Sequence, residues 1–214
     1  MRKSILAVVF SIFLFGQLNA QDYKIGIKVG PTFSMTRTGT QGTNTSIDGD
    51  GTSVKFLLGA FVDIGFKENY YFHTGINYAT KDTRISASVP NIGGNPVTEQ
   101  YAHEYLQLPV LLKLYTNEVV LDTRLYFNFG LIPELRLSTS NEEVSTVIVE
   151  NFKGFDLAAN VGAGLERSLG PNTRLFGGLN FNLGFLNMVK DQNAQFEDIT
   201  IKSNLLAVEV GIKF

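Results

Sequence analysis

The residues best suited to chemistry are the two histidines, and each has an acid within plausible reach. Asp63 and His73 flank the short stretch "KEN" at 67–69. Counting outward from Glu68 sets them opposite each other on one strand face. A carboxylate held against an imidazole can orient a general base. No nucleophile or metal cluster accompanies this pair, so it is expected to be a structural contact in an interior. His103 and Glu104 open a second possibility, because they stand where a long polar connection ends and could face Asp82 or Asp156. Nothing in the spacing assembles those four groups. "DGDG" at 48–51 resembles the start of a calcium loop but lacks the later bidentate Glu. "NTS" at 44–46 fits a glycosylation acceptor by type alone. "GAG" at 162–164 falls in mid-strand, where no dinucleotide would sit. No cofactor or metal is expected.

The elements that must position these groups are strands. The stretch "LLAVEVGIKF" places Leu206, Val208, Val210, Ile212 and Phe214 on one face and Ala207, Glu209, Gly211 and Lys213 on the other. "YKIGIKVGPTFSM", "SVKFLLGAFVDIGF", "YYFHTGINYATK", "YLQLPVLLKLY", "RLYFNFGLIPELRLS", "GFDLAANVGAGLERS" and "TRLFGGLNFNLGF" repeat that alternation. Together they predict about eight strands, each long enough to cross a bilayer at a tilt of about 45°. Helical spacing fits none of them comparably. Connections at 67–69, 116–122 and 170–172 are tight, whereas 37–52, 82–103, 139–153 and 187–200 are long and polar. That rhythm fits an up-and-down barrel with short periplasmic turns, longer extracellular loops and both termini on the periplasmic side.

The segment "MRKSILAVVFSIFLFGQLNA" has a basic start, an apolar run from Ile5 to Phe15 and a polar approach to Ala20. It is expected to be a signal peptide over 1–20, leaving 21–214 as one barrel domain. The apolar run is shorter than the roughly 20 residues a membrane helix needs. The chain has no Cys, which excludes a lipoprotein or a disulfide-stapled fold. A net charge of −2 and mean hydropathy of +0.07 suggest neither a nucleic-acid binder nor a helical membrane protein.

Alternation alone does not say which face turns inward. Three features favour lipid outside over a soluble barrel. Gly gathers on the polar face, where a crowded interior needs small residues. Aromatics on the apolar face collect toward the strand ends: Tyr23, Phe66, Tyr70 and Phe214 at one level, Phe33, Phe56, Tyr78, Phe155 and Phe185 at the other. The apolar face also carries Phe214. Only a closed barrel satisfies strand backbones in lipid. Inward parity then predicts ion pairs across the lumen, Glu166 with Arg174 about a turn centred near Gly170, and Asp63 with His73. Lys28, Lys55, Lys113, Arg124, Arg136 and Lys213 add positive charge there, partly offset by Glu134, Asp156 and Glu209. Lys213 points into the lumen, where charge is accommodated, so deleting Phe214 or changing it to Asp is expected to impair insertion far more than the same change at Lys213.

Residues spread over the mature chain support a family resemblance. "YLQLPVLLKLY", "GLIPELRL", "NVGAGLERSLG", "GLNFNLGFLNM" and "VEVGIKF" together resemble the PorT-like outer-membrane β-barrels of Bacteroidetes. The resemblance implies an all-β, eight-stranded antiparallel barrel of the small OmpA/OmpX shape. It also implies that Val210, Ile212 and Phe214 form the signal recognised by the barrel-assembly machinery. The expected function is non-enzymatic: a structural or accessory role through the extracellular loops or periplasmic rim. Expected partners are outer-membrane lipid, the assembly machinery and an unidentified envelope or secretion protein, with no nucleic acid. The alternative is a barrel enzyme, protease or acyltransferase, with its site near His103 and Glu104. A diffusion porin is disfavoured because eight strands leave an interior that side chains fill.

Overall fold

The computed structural model describes residues 22–40, 46–49, 51–88, 97–143, 149–192 and 199–214. The expected signal peptide, Asn44 and Thr45 of the acceptor triplet, and Asp50 lie outside the described residues.

Twelve strands are present among those residues. They are β1 (Tyr23–Thr40), β2 (Ser46–Gly49), β3 (Thr52–Lys67), β4 (Tyr70–Ser88), β5 (Val97–Gln107), β6 (Val110–Val120), β7 (Thr123–Glu143), β8 (Val149–Phe152), β9 (Phe155–Ser168), β10 (Arg174–Gly184), β11 (Val189–Gln192) and β12 (Ile199–Lys213). Every neighbouring pair is antiparallel. The ring runs β1, β3, β4, then β5 and β6 sharing one position, then β7, β9, β10 and β12, which pairs back onto β1. Eight positions therefore close the barrel. The shared position is interrupted at Leu108–Pro109 because Pro109 has no N–H to give the ladder. The Leu108 N–H instead donates to the Pro133 carbonyl at 2.9 Å.

The expected faces are confirmed, and the barrel is polar inside and apolar outside. On β9, Leu165 is 52% exposed while its neighbour Glu166 is 1% exposed. Tyr23, Ile25, Ile27 and Val29 face outward on β1, and the intervening Lys28 is buried. Interior Gly makes room for aromatic rings lying across the lumen. A Cβ on Gly164 would stand 2.4 Å from the Tyr126 ring, and one on Gly178 would stand 2.2 Å from its hydroxyl. Gly26 and Gly211 make the same allowance for Phe61 and Phe176. The rings of Phe61 and Phe176 then meet edge-on at 5.4 Å, and those of Tyr71 and Tyr115 at 5.3 Å.

Two of the tight turns place a non-Gly residue at positive φ, Asn69 at 63° and Asp122 at 59°. Asn and Asp tolerate this left-handed backbone best among non-Gly residues. The connection expected over 116–122 is mostly strand, since β6 continues to Val120.

The larger correction concerns the long connections. Much of 37–52, 82–103, 139–153 and 187–200 is strand rather than loop. β1 and β12 stay paired to Thr40 opposite Ile199, and β4 and β5 to Ala87 opposite Val97. β8 and β11 form a separate two-stranded sheet. Alternation persists in these extensions, but their inward residues include a large apolar set beside the buried Thr83, Glu99 and His103. Ile85, Tyr101, Tyr105, Val149, Phe152, Met188, Val189, Ile199 and Ile201 bury one another in a core of their own. Hydrophobic burial holds the extensions together as it would in a soluble protein.

Candidate functional site

The lumen divides into three levels, and the short-turn end is the most highly charged. Asp63 on β3 and His73 on β4 stand directly opposite in register, with Oδ1 and Nδ1 2.6 Å apart, as expected. The other Asp63 oxygen accepts from Lys113 at 3.2 Å and Lys213 at 3.0 Å. Glu166 is a second hub. Its Oε1 accepts from Arg174 at 3.0 Å and Arg124 at 3.3 Å, and its Oε2 accepts from the Tyr115 hydroxyl at 2.7 Å. Lys213 joins the hubs, pairing with Glu166 and donating to Tyr115 at 2.7 Å. The Lys113 ammonium lies over the Tyr126 ring, 4.4 Å from its centroid.

One expectation is corrected here. Glu166 and Arg174 do form an ion pair, but they are diagonal neighbours. Arg174 stands opposite Ser168, and Glu166 opposite Phe176. The turn spans Leu169 to Thr173, where the Leu169 N–H donates to the Thr173 carbonyl, so its centre lies one residue beyond Gly170. Lys213 points into the lumen as expected, and its charge is matched there. It is 1% exposed and bridges Asp63 to Glu166, so its charge is part of the interior framework.

Above this level Lys28 pairs with Glu209 at 3.0 Å. Lys81 pairs with Glu134, which also accepts from Gln107 at 2.7 Å. Asn160 donates to Asn182 at 2.7 Å. The Lys28–Glu209 and Lys81–Glu134 pairings are not legible in the sequence because their strands lie far apart along the chain. Parity places a residue inside but does not choose its partner around the ring.

The long-strand end is closed by the apolar core of the extensions. The Tyr101 hydroxyl donates to the Glu99 carboxylate there, and burial together with that carboxylate raises the Tyr101 phenol above its usual range. His103 and Glu104 are separated rather than joined. Adjacent strand residues point to opposite faces. His103 is 1% exposed, bonds Thr139 Oγ1 at 3.0 Å and packs its ring on Phe152, while Glu104 is exposed on the outer face. Its Nδ1 partner is neither Asp82 nor Asp156. Asp48 and Gly49 lie on β2. Among the described residues no group of three His, Cys, Asp or Glu converges as a metal site. Gly162 and Gly164 lie mid-strand on β9.

Residues 15–190 match the family model described as outer membrane protein beta-barrel domain. Among solved structures, the outer membrane protein OprG of Pseudomonas aeruginosa is 10% identical, covers 91% of this chain and 97% of its own, and superposes with a TM-score of 0.57. Neisserial surface protein A is also 10% identical over 91% of this chain and 98% of its own, with a TM-score of 0.48. The OprG likeness shows the fold alone. No curated protein sequence matches the chain.

Proposed function

The chain belongs to the outer membrane protein beta-barrel domain family, and from that premise we propose a non-enzymatic accessory or structural barrel that works through its rims. The observation that carries this reading is a lumen filled at both ends. At the short-turn end Asp63, Glu166, Lys113 and Lys213 fill the interior, each no more than 2% exposed. At the long-strand end the apolar core lies across the extensions. Among the described residues neither level offers a substrate an approach to His103, which is buried.

The orientation that fits places the short turns in the periplasm and the strand extensions outside the cell. The sequence resemblance supports a place among the PorT-like barrels within the wider family. Contacts with a further envelope protein would then use the extracellular extensions or the periplasmic turns. Val119, Val120, Leu121 and Leu169 give those turns an apolar surface.

In planar bilayers the purified protein is expected to carry no steady current. Stable single-channel openings would refute the filled-lumen reading. Affinity purification in mild detergent should retain an envelope protein, and turnover of a peptide or acyl substrate that depends on His103 would refute the accessory role.

A further inference from the structure

On the outer face of β1 and β12, Arg37 and Lys202 stand directly opposite each other in register. Like charges at directly opposed positions destabilise a strand pair. Among the described residues neither meets a carboxylate. The Arg37 guanidinium donates to the Gly184 carbonyl at 2.8 Å, which neutralises nothing. One step along the same face, Asn204 stands opposite Met35 and Leu183. It is 8% exposed, and its Oδ1 has no hydrogen-bond partner. A buried orphan acceptor beside two uncompensated cations points to a ligand carrying both negative charge and a donor.

The level of this triad in the wall identifies the ligand class. Outward positions of β1 run apolar from Tyr23 to Met35. At about 3.3 Å per residue and a tilt near 45°, that stretch rises about 28 Å, close to the apolar band of roughly 25 Å in such barrels. Arg37 and Lys202 come one step later, at headgroup height. Phe185, which follows β10, is also exposed on the outer wall. Basic side chains at this height attract anionic headgroups.

We propose that Arg37, Lys202 and Asn204 form a binding site for the phosphorylated headgroup of the outer-leaflet glycolipid. The two cations hold its phosphate. Asn204 Oδ1 accepts from an amide N–H or a sugar hydroxyl of the same headgroup. The choice of leaflet rests on the orientation proposed above.

The test uses the full-length barrel in nanodiscs of neutral phospholipid, titrated with phosphorylated lipid A and followed by native mass spectrometry. Dephosphorylated lipid A and phosphatidylglycerol are the comparison ligands. At about fivefold per removed charge, R37Q/K202Q should weaken lipid A binding about 30-fold. The variant should keep its heat-modifiable migration on SDS gels, which separates lost binding from lost folding. The wild type should prefer phosphorylated lipid A over both comparison ligands. Equal binding by wild type and variant, or indifference to the phosphate, would overturn the site. Orientation is tested separately with Gly39→Cys, where an added Cβ meets nothing within 4 Å, in a chain that has no other Cys. Labelling by an impermeant maleimide in intact cells is expected. Absence of labelling would overturn the orientation, and with it the choice of leaflet, whatever the titration shows.

Discussion

The Lys28–Glu209 pair offers the sharpest test of the charged lumen because each is the other's sole ion-pair partner among the described residues. The charges are 3.0 Å apart, with 6% and 7% of their side chains exposed. At an effective dielectric of 20 their attraction is roughly 5 kcal/mol, most of it offset by the cost of removing two ions from water. Removing one partner forfeits the attraction and leaves the other ion buried. Glu209→Leu and Lys28→Met should therefore each cost about 3–5 kcal/mol. The double variant Lys28→Met/Glu209→Leu buries apolar groups in place of both and should return to within about 1 kcal/mol of the wild type. The chain has no Trp. Urea unfolding of the reconstituted barrel is therefore followed by far-UV circular dichroism and by the gel shift between folded and unfolded forms. A double variant as unstable as the sum of the singles would refute the argument, as would single variants indistinguishable from wild type.

Gly164→Val should destabilise by about 1–3 kcal/mol or prevent folding, because the new side chain meets the Tyr126 ring and the Gly177 carbonyl, each at 2.4 Å. Gly177→Ala, whose Cβ has no neighbour nearer than 3.7 Å, should unfold at the wild-type urea concentration or above it. Lys213→Met should lower stability by about 2–3 kcal/mol through lost charged hydrogen bonds. Phe214→Asp instead should lower the amount reaching the outer membrane, and equal effects of the two changes in both assays would refute this division. Ile201→Ala, at a fully buried position, should cost about 2–5 kcal/mol within the apolar cap alone. Hydrogen exchange should rise in β8, β11 and the upper part of β12 while the lower barrel stays protected.

Alternation made the barrel legible. Leu165 and Glu166, or Phe129 and Asn128, declare their faces by parity alone, since a one-residue slip would turn every polar side chain into lipid. Asp63 opposite His73 was readable because a short turn fixes local register. The Glu166–Arg174 register was misjudged by one turn position, which depends on the backbone geometry from Leu169 to Thr173 rather than on residue type. The partners of Lys213 are not legible for a different reason, since they lie on β3 and β9. The apolar cap was missed because Ile85, Tyr101, Val149 and Ile201 are scattered through polar stretches that look like loops. The inward parity of "ITIKS" was already a clue, placing Ile199, Ile201 and Ser203 on the lumenal side of β12.

The bridging position of Lys213 has a consequence for how the ring forms. Its ammonium needs Asp63, 150 positions away, and Glu209 on the same strand needs Lys28, 181 positions away. An open sheet that had paired every strand except β1 with β12 would separate the Lys28–Glu209 pair. Contacts this distant in sequence make folding slow, because the chain must be closed before they repay the loss of its freedom. The seam therefore behaves as a cooperative latch. Partial closure leaves charges stranded, so the population should divide between open and fully closed forms with little between them.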